Sequence, residues 1–163
     1  MTATGLRQDP FASFRFHVTL KTAANQIVAN RNGDANSGAV IGAFSECTGL
    51  GSVLDVHEYK EGGVNDIVHK FPTRVDPTEI TLKRGIGVSD DLWSWLYGFA
   101  QGCGERKDGM VVLMDEAGNA VKRWVFKRGM PKKWSGPDLN ASQSAVAIEM
   151  LEISHEGLEM VPL

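Results

Sequence analysis

The residues of this sequence best suited to bind a metal or move a proton are His17, His57, His69 and His155, with Cys47 and Cys103. Metal sites use ligands at short, paired spacings, and these six are scattered singly. His155 stands beside Glu156, which fits an acid–base couple or, more commonly, a structural hydrogen-bonded pair. His17 falls on the polar side of a strand pattern, where solvent or a subunit contact is the expectation. Gly49-Leu50-Gly51 opens like a dinucleotide-binding motif. Leu54 occupies the place of the third glycine, however, and the run precedes a strand instead of opening a helix. Ser89 is not framed by the glycines of a nucleophile elbow. Residues 115–119 are acidic with a glycine but lack the alternating ligands of a calcium loop, so a hairpin turn is expected. The cysteines read as two buried, reduced thiols, with a disulfide left open. No nucleophile, base and oxyanion donor come together. Neither catalysis, cofactor nor metal is expected.

Charge offers one asymmetry. The chain carries a formal net charge of −3, which argues against a whole-chain nucleic-acid binder, since phosphate neutralisation needs basic excess. Within it lie Lys122, Arg123, Lys127, Arg128, Lys132 and Lys133. Such a cluster fits an acidic partner, a Lys-rich strand edge that discourages aggregation, or pairing with acids of an identical neighbour. The third reading is favoured, with Glu149, Glu152, Glu156 and Glu159 as the acids and the strand edge close behind.

The elements that must position these groups are mostly strands. The length of 163 residues suggests one domain, 1–163. A domain of this size buries about 70% of its unfolded surface. No run approaches the roughly 18 apolar residues of a membrane span. The first residues lack the apolar stretch of a secretory signal, so synthesis in the cytoplasm and a soluble product are expected. Over residues 13–21, Phe14, Phe16, Val18 and Leu20 alternate with Arg15, His17, Thr19 and Lys21, the pattern of a half-buried strand. Residues 25–38 are polar, with Asn32-Gly33 as a hairpin signal. Further strands are expected over 40–46, 52–59 and 79–84, with an extended segment over 64–71 and a loop bracketed by Pro72 and Pro77. Residues 89–101 predict a helix: Ser89 as N-cap, Asp90 and Asp91 at the positive end of its dipole, Leu92, Trp95, Leu96 and Phe99 as a buried stripe, and Gly102 as the stop. A hairpin is expected from 110–114 and 121–127, followed by a linker stiffened by Pro131 and Pro137 and anchored by Trp134. Residues 145–153 suit either a strand or a helix. The residues therefore describe a mainly β (α+β) domain with one amphipathic helix across an open end or face.

Several blocks in order carry a resemblance. They are Asp9-Pro10-Phe11 with Phe14-Arg15-Phe16, then Gly42-Ala43-Phe44-Ser45-Glu46-Cys47-Thr48-Gly49-Leu50, Glu58-Tyr59-Lys60-Glu61-Gly62-Gly63 and Ile80-Thr81-Leu82-Lys83-Arg84-Gly85. Leu92-Trp93-Ser94-Trp95, Arg123-Trp124, Pro131-Lys132-Lys133-Trp134, Val146-Ala147-Ile148-Glu149 and His155-Glu156-Gly157-Leu158 follow. Together they cover nearly the whole chain. They resemble the tail tube proteins of contractile phage tails and extracellular contractile injection systems, related in fold to the type VI secretion tube protein. The polar stretch 22–38 departs from that pattern.

That resemblance implies a small β-barrel or sandwich with one helix, hexameric rings stacked into a hollow tube, a surrounding sheath, baseplate and spike partners, and luminal cargo protein or DNA. It implies no direct lipid binding by the isolated subunit. Glu58, Glu61, Gly62, Gly63 and Asn65 become the candidate ring-stacking loop. Lys132, Lys133, Glu149 and Glu156 become candidate inter-subunit charge contacts. Trp95, Trp124 and Trp134 are the expected core anchors. The alternatives are a tube-initiating paralogue at the baseplate and a monomeric β-barrel binding module with a pocket under the Trp93/Trp95 helix.

Overall fold

Among the described residues, ten strands and one helix follow one another: β1 (Phe16–Thr22), β2 (Ala39–Val40), β3 (Glu46–Thr48), β4 (Ser52–Tyr59), β5 (His69–Pro77), β6 (Ile80–Gly85), α1 (Asp91–Ala100), β7 (Lys107–Met114), β8 (Ala120–Ser135), β9 (Ile148–Ser154) and β10 (Gly157–Val161). They belong to a computed structural model that describes residues 15–22, 39–40, 44–62, 67–87, 89–142 and 144–162. Phe14, the 25–38 stretch with Asn32-Gly33, and Gly63, Val64 and Asn65 lie outside the described residues.

The strand order is β2-β1-β7-β8-β9-β6-β3, with β10 on the first half of β8. All pairings are antiparallel. The sheet folds over on itself because β8 serves both halves. Its first part pairs with β7 and β10, and residues from Met130 onward pair with β9. The corner lies at Arg128, whose φ is 52°. A left-handed backbone costs a non-glycine residue roughly 1–2 kcal/mol; here the Arg128 amide donates to Asp108 Oδ1 at 2.7 Å. The register against β7 slips at the same place, as in a bulge that turns a strand from one sheet to the next.

Val18, Leu20, Val111 and Phe126 from one half meet Ile80, Leu82, Leu151 and Ile153 from the other, with Phe44, Leu92 and Trp95 closing the core. The helix buries Leu92 and Trp95. It ends at Gly102 (φ 77°). The Gly102 amide donates to Phe99 O at 3.2 Å and the Cys103 amide to Gly98 O at 2.9 Å, the paired bonds of a glycine-terminated helix.

Several expectations need correction. The N-cap is Asp90, without a side-chain cap bond; the Ser89 hydroxyl donates instead to Asp91 Oδ2 at 2.8 Å. The Pro72–Pro77 loop is strand β5, with Pro72 beside the register shift against β4, where a strand tolerates proline. The linker through Pro131 and Trp134 is the second half of β8, and Pro131 again adjoins a register shift. The 145–153 run becomes a strand only from Ile148; it buries Glu149, Leu151 and Ile153 and turns Ile148 outward. Of the expected 40–46 strand, Val40 lies in β2 and Glu46 in β3, Phe44 and Ser45 belong to neither, and 41–43 lie outside the described residues. Thr19, expected on the polar side of β1, is buried. Cys103 is exposed and Cys47 half-buried, and both are free thiols.

Candidate assembly surfaces

Strands β4 and β5 form a two-stranded ribbon outside the main sheet. Its exposure is unusual for its composition. Val53, Leu54, Val56, Tyr59, Phe71 and Val75 are all exposed, Val75 by 61%, and every residue of β4 is exposed. An isolated two-stranded ribbon is marginal in water, and contiguous exposed apolar side chains mark interaction surfaces.

The base of the ribbon is held firmly. Thr78 Oγ1 donates to Gly49 O at 2.7 Å and is 2.9 Å from Gly51 O. The Thr78 amide donates to Gly51 O at 3.0 Å. His155 Nε2 lies 2.9 Å from Thr78 O, and its Nδ1 lies 3.1 Å from Gly157 O. Gly49 has φ 86°, and a Cβ there would stand 1.8 Å from Glu79 O. The Gly49-Leu50-Gly51 run is thus the close approach that seats the ribbon. His155 is part of that seat and not a partner of Glu156, whose carboxylate meets Arg106 and Arg128, the latter at 2.8 Å.

Near the N-terminus of α1, Trp93 stacks on Tyr97 (5.7 Å between ring centroids) and meets Trp134 edge-on at 5.0 Å. An open cleft of about 350 Å³ lies between Ile86, Ser89, Asp90, Trp93 and Trp134, with Glu149 in its lining. The pocket expected beneath both Trp93 and Trp95 is different: Trp95 belongs to the core, its Nε1 donating to Glu105 O at 2.8 Å. Trp124 and Trp134 are half-buried and pack against the core.

The expected inter-subunit charges are mostly satisfied within the chain. Lys132 Nζ is 2.6 Å from Glu79 Oε1, and Lys133 Nζ is 3.9 Å from Glu152 Oε1. Lys127 Nζ is 2.6 Å from Glu159 Oε1. The hydrogen bond to Glu79 holds the Lys132 ammonium above its ordinary pKa. Glu149, expected at the surface, is buried within the protomer. Arg84 Nε donates to its Oε1 at 2.5 Å and Trp134 Nε1 to its Oε2 at 2.9 Å. Arg84 is not singled out by the sequence reading, yet alternation with Ile80 and Leu82 was the available signal. Arg123 is also buried, on the sheet face away from the core, and its Nε has no hydrogen-bond partner among the described residues.

The 115–119 segment is a hairpin turn. Asp115 Oδ1 accepts from the Asn119 amide at 2.8 Å and Oδ2 from Asn119 Nδ2 at 3.0 Å. These bonds, the side-chain one first, pull the Asp115 carboxyl below its ordinary pKa. Cys47 lines an apolar slot with Phe16, Leu50, Val111, Leu113 and Trp124, and burial pushes its thiol up to about 11. Among the described residues, no three His, Cys, Asp or Glu side chains converge as a metal site would require, and no helix is long and apolar enough to cross a membrane.

This layout recurs in solved structures. One similar chain is in the six-fold-symmetrised cryo-EM structure of the anti-feeding prophage (AFP) baseplate: TM-score 0.80, 23% identity, covering 95% of this chain and 97% of that one. Another is in the PVC sheath–tube complex of an extracellular contractile injection system, in the extended state: TM-score 0.75, 21% identity, 94% and 93% covered. A third is in the AFP tube terminating cap: TM-score 0.79, 22% identity, 100% and 99% covered. No curated protein sequence matches. The fold built from this sheet, helix and ribbon is therefore shared with chains of contractile injection particles. The sequence profile described as T4-like virus tail tube protein gp19 matches residues 12–159. The chain belongs to this tail tube protein family.

Proposed function

We propose that the chain, residues 1–163 as one tube domain, is the structural subunit of the inner tube of a contractile injection particle. Copies form hexameric rings, and the rings stack into a hollow tube that carries protein cargo or DNA. A sheath surrounds the tube and drives it through a target membrane on contraction, and a baseplate with its spike templates the first ring. The subunit acts by assembly and not by catalysis. Particle release outside the cell belongs to the same reading.

The observation that carries this reading is the ribbon. Its apolar side chains are exposed in the free protomer, although the main body has a full core of its own. Heterologous contacts, in which one patch meets a different patch on the next copy, generate rings and open filaments, and an exposed strand pair suits such contacts. The tip, with Glu58, Glu61 and Gly62, reaches the adjacent ring.

Negative-stain electron microscopy of the untagged protein over a concentration series tests the proposal. Rings and stacked tubes are expected, and deletion of residues 61–65 is expected to leave a folded protomer that makes no tubes. A strict monomer, also in the presence of the matching baseplate, overturns the proposal. Long homogeneous tubes from the isolated protein distinguish the main tube subunit from a tube initiator.

A further inference from the structure

The face of the main sheet turned away from the core carries a buried cation. Along β8, Trp124 and Phe126 pack toward the core. Successive side chains of a strand alternate, so Arg123, Val125 and Lys127 lie on the other face. The register sets Arg123 in one row with His17 on β1, Val112 on β7 and Val161 on β10. Val112 is 4% exposed and Arg123 5%. The Nε of Arg123 is enclosed without a hydrogen-bond partner, and no ion pair reaches its guanidinium among the described residues.

The acids on that face are engaged elsewhere. Glu159 stands opposite Val125, and its Oε1 is 2.6 Å from Lys127 Nζ. Asp108 stands opposite Lys21, and its Oδ1 accepts from the Arg128 amide at 2.7 Å. The row of Arg123 itself brings apolar Val112 and Val161 and, two strand spacings or roughly 10 Å away, the exposed His17. None of these carries a negative charge. An arginine stays charged at any pH that a fold survives, and a buried charge without a counterion is costly. The protomer therefore holds a cation whose counterpart is absent from its described residues.

We propose that Arg123 is a binding site for one carboxylate. A guanidinium presents its Nε–H beside a parallel Nη–H, and the two match the two oxygens of a carboxylate. The enclosed, unpartnered atom is Nε, so the ligand approaches from that side. A monoanion balances the single charge. A phosphate dianion needs further donors, which Val112 and Val161 do not supply. Burial of the site limits the ligand to a small group, either a free monocarboxylate or the Asp or Glu side chain of a second copy of this chain. The site belongs to the single protomer and stands whether or not tubes form.

The test is thermal unfolding of the dilute, full-length protein in sodium acetate and in sodium chloride at matched ionic strength, for wild type, Arg123→Met and Arg123→Lys. Acetate at several times its dissociation constant is expected to raise the wild-type Tm by roughly 2–4 °C over chloride. Arg123→Met is expected to unfold at or above the wild-type temperature in chloride, because an uncompensated charge is gone, and to show no acetate response. Arg123→Lys is expected to respond less than wild type, since an ammonium lacks the parallel N–H pair. The Nε–Hε NMR resonance of Arg123 in the wild type separates the two sources and needs no variant to fold. Movement with acetate at constant dilute protein assigns a free carboxylate. Movement with protein concentration alone, after which acetate has no effect, assigns the carboxylate of a second copy. A resonance that answers neither, or answers chloride as it does acetate, overturns the proposal. So does an Arg123→Met protein that is less stable than wild type in chloride, since the arginine is then already satisfied within the chain.

Discussion

Arg84 and Glu149 face each other directly across β6 and β9, and their side chains meet at 2.5 Å with only 7% and 8% exposure. Both carboxylate oxygens have a donor, the second being Trp134 Nε1. Arg84 Nη2 also donates to Ser89 O at 3.1 Å, just before the helix, and the guanidinium lies 5.9 Å from the centre of the Phe44 ring. The pair thus ties two strands, the second half of β8 and the approach to α1 into one polar knot at the edge of the core.

Removing one member of this knot leaves a buried charge alone. Arg84→Met or Glu149→Leu is expected to destabilise the protomer by about 3–5 kcal/mol, whereas the double variant recovers most of the loss. Urea unfolding of the three variants checks this. Additive losses in the double variant would show that the two side chains act independently.

Trp134 contributes both a ring and a donor. Trp134→Phe keeps the contact with Trp93 but leaves Glu149 Oε2 without its N–H, at an expected cost of about 1–3 kcal/mol. Trp134→Ala also loses the packing, at about 3 kcal/mol or more. Thermal unfolding should therefore rank wild type above Phe and Phe above Ala. Equal stability of Trp134→Phe and wild type would remove the hydrogen bond from the account.

At the ribbon base, Gly49→Ala combines a φ of 86° with a Cβ 1.8 Å from the Glu79 carbonyl oxygen. Backbone cannot yield as the end of a flexible side chain can. A loss of more than about 2 kcal/mol is expected, together with increased protease cleavage at the ribbon. Gly102→Ala shares a positive φ but has open space around it, so it is the milder control, costing about 1 kcal/mol. A Gly49→Ala protein as stable as the control would show that the seat relaxes freely.

The two cysteines should separate by reactivity. At pH 8, iodoacetamide is expected to modify exposed Cys103 first, since Cys47 holds its proton until about pH 11. The sign for stability follows. The unfolded chain ionises Cys47 at its ordinary 9.0 and the folded chain only at about 11, so this contribution is complete below pH 9 and is lost as pH rises toward 11. Cys47→Ala should flatten the alkaline limb of the stability curve. Faster labelling of Cys47 than of Cys103 in the native protein would contradict this.

Alternation made much of the architecture readable. Val18 and Leu20 are buried as the 13–21 pattern requires, β4 has the expected limits, and the helix buries Leu92 and Trp95 with Gly102 as its stop. Proline misled where it adjoins a bulge. Pro72 and Pro131 read as strand breakers, yet both adjoin register shifts, where a strand tolerates proline. Glu149 misled because a carboxylate reads as surface, although it alternates with Leu151 and Ile153, and Arg84 with Ile80 and Leu82. The ribbon was hidden for another reason: apolar residues report burial, and periodicity cannot say whether the covering surface belongs to the same chain.

The continuity of β8 has a mechanical consequence. One sixteen-residue strand runs from the 115–119 turn through the Arg128 corner to Ser135, bonded along its length to β7 and β10 and then to β9. A force along that strand loads each row of hydrogen bonds in shear, all members sharing the stress instead of opening one by one. It passes between the halves through the covalent chain and spares the oily interior. Under a load along β8, such a protomer behaves as a braced strut, both halves of its sheet tied to one backbone.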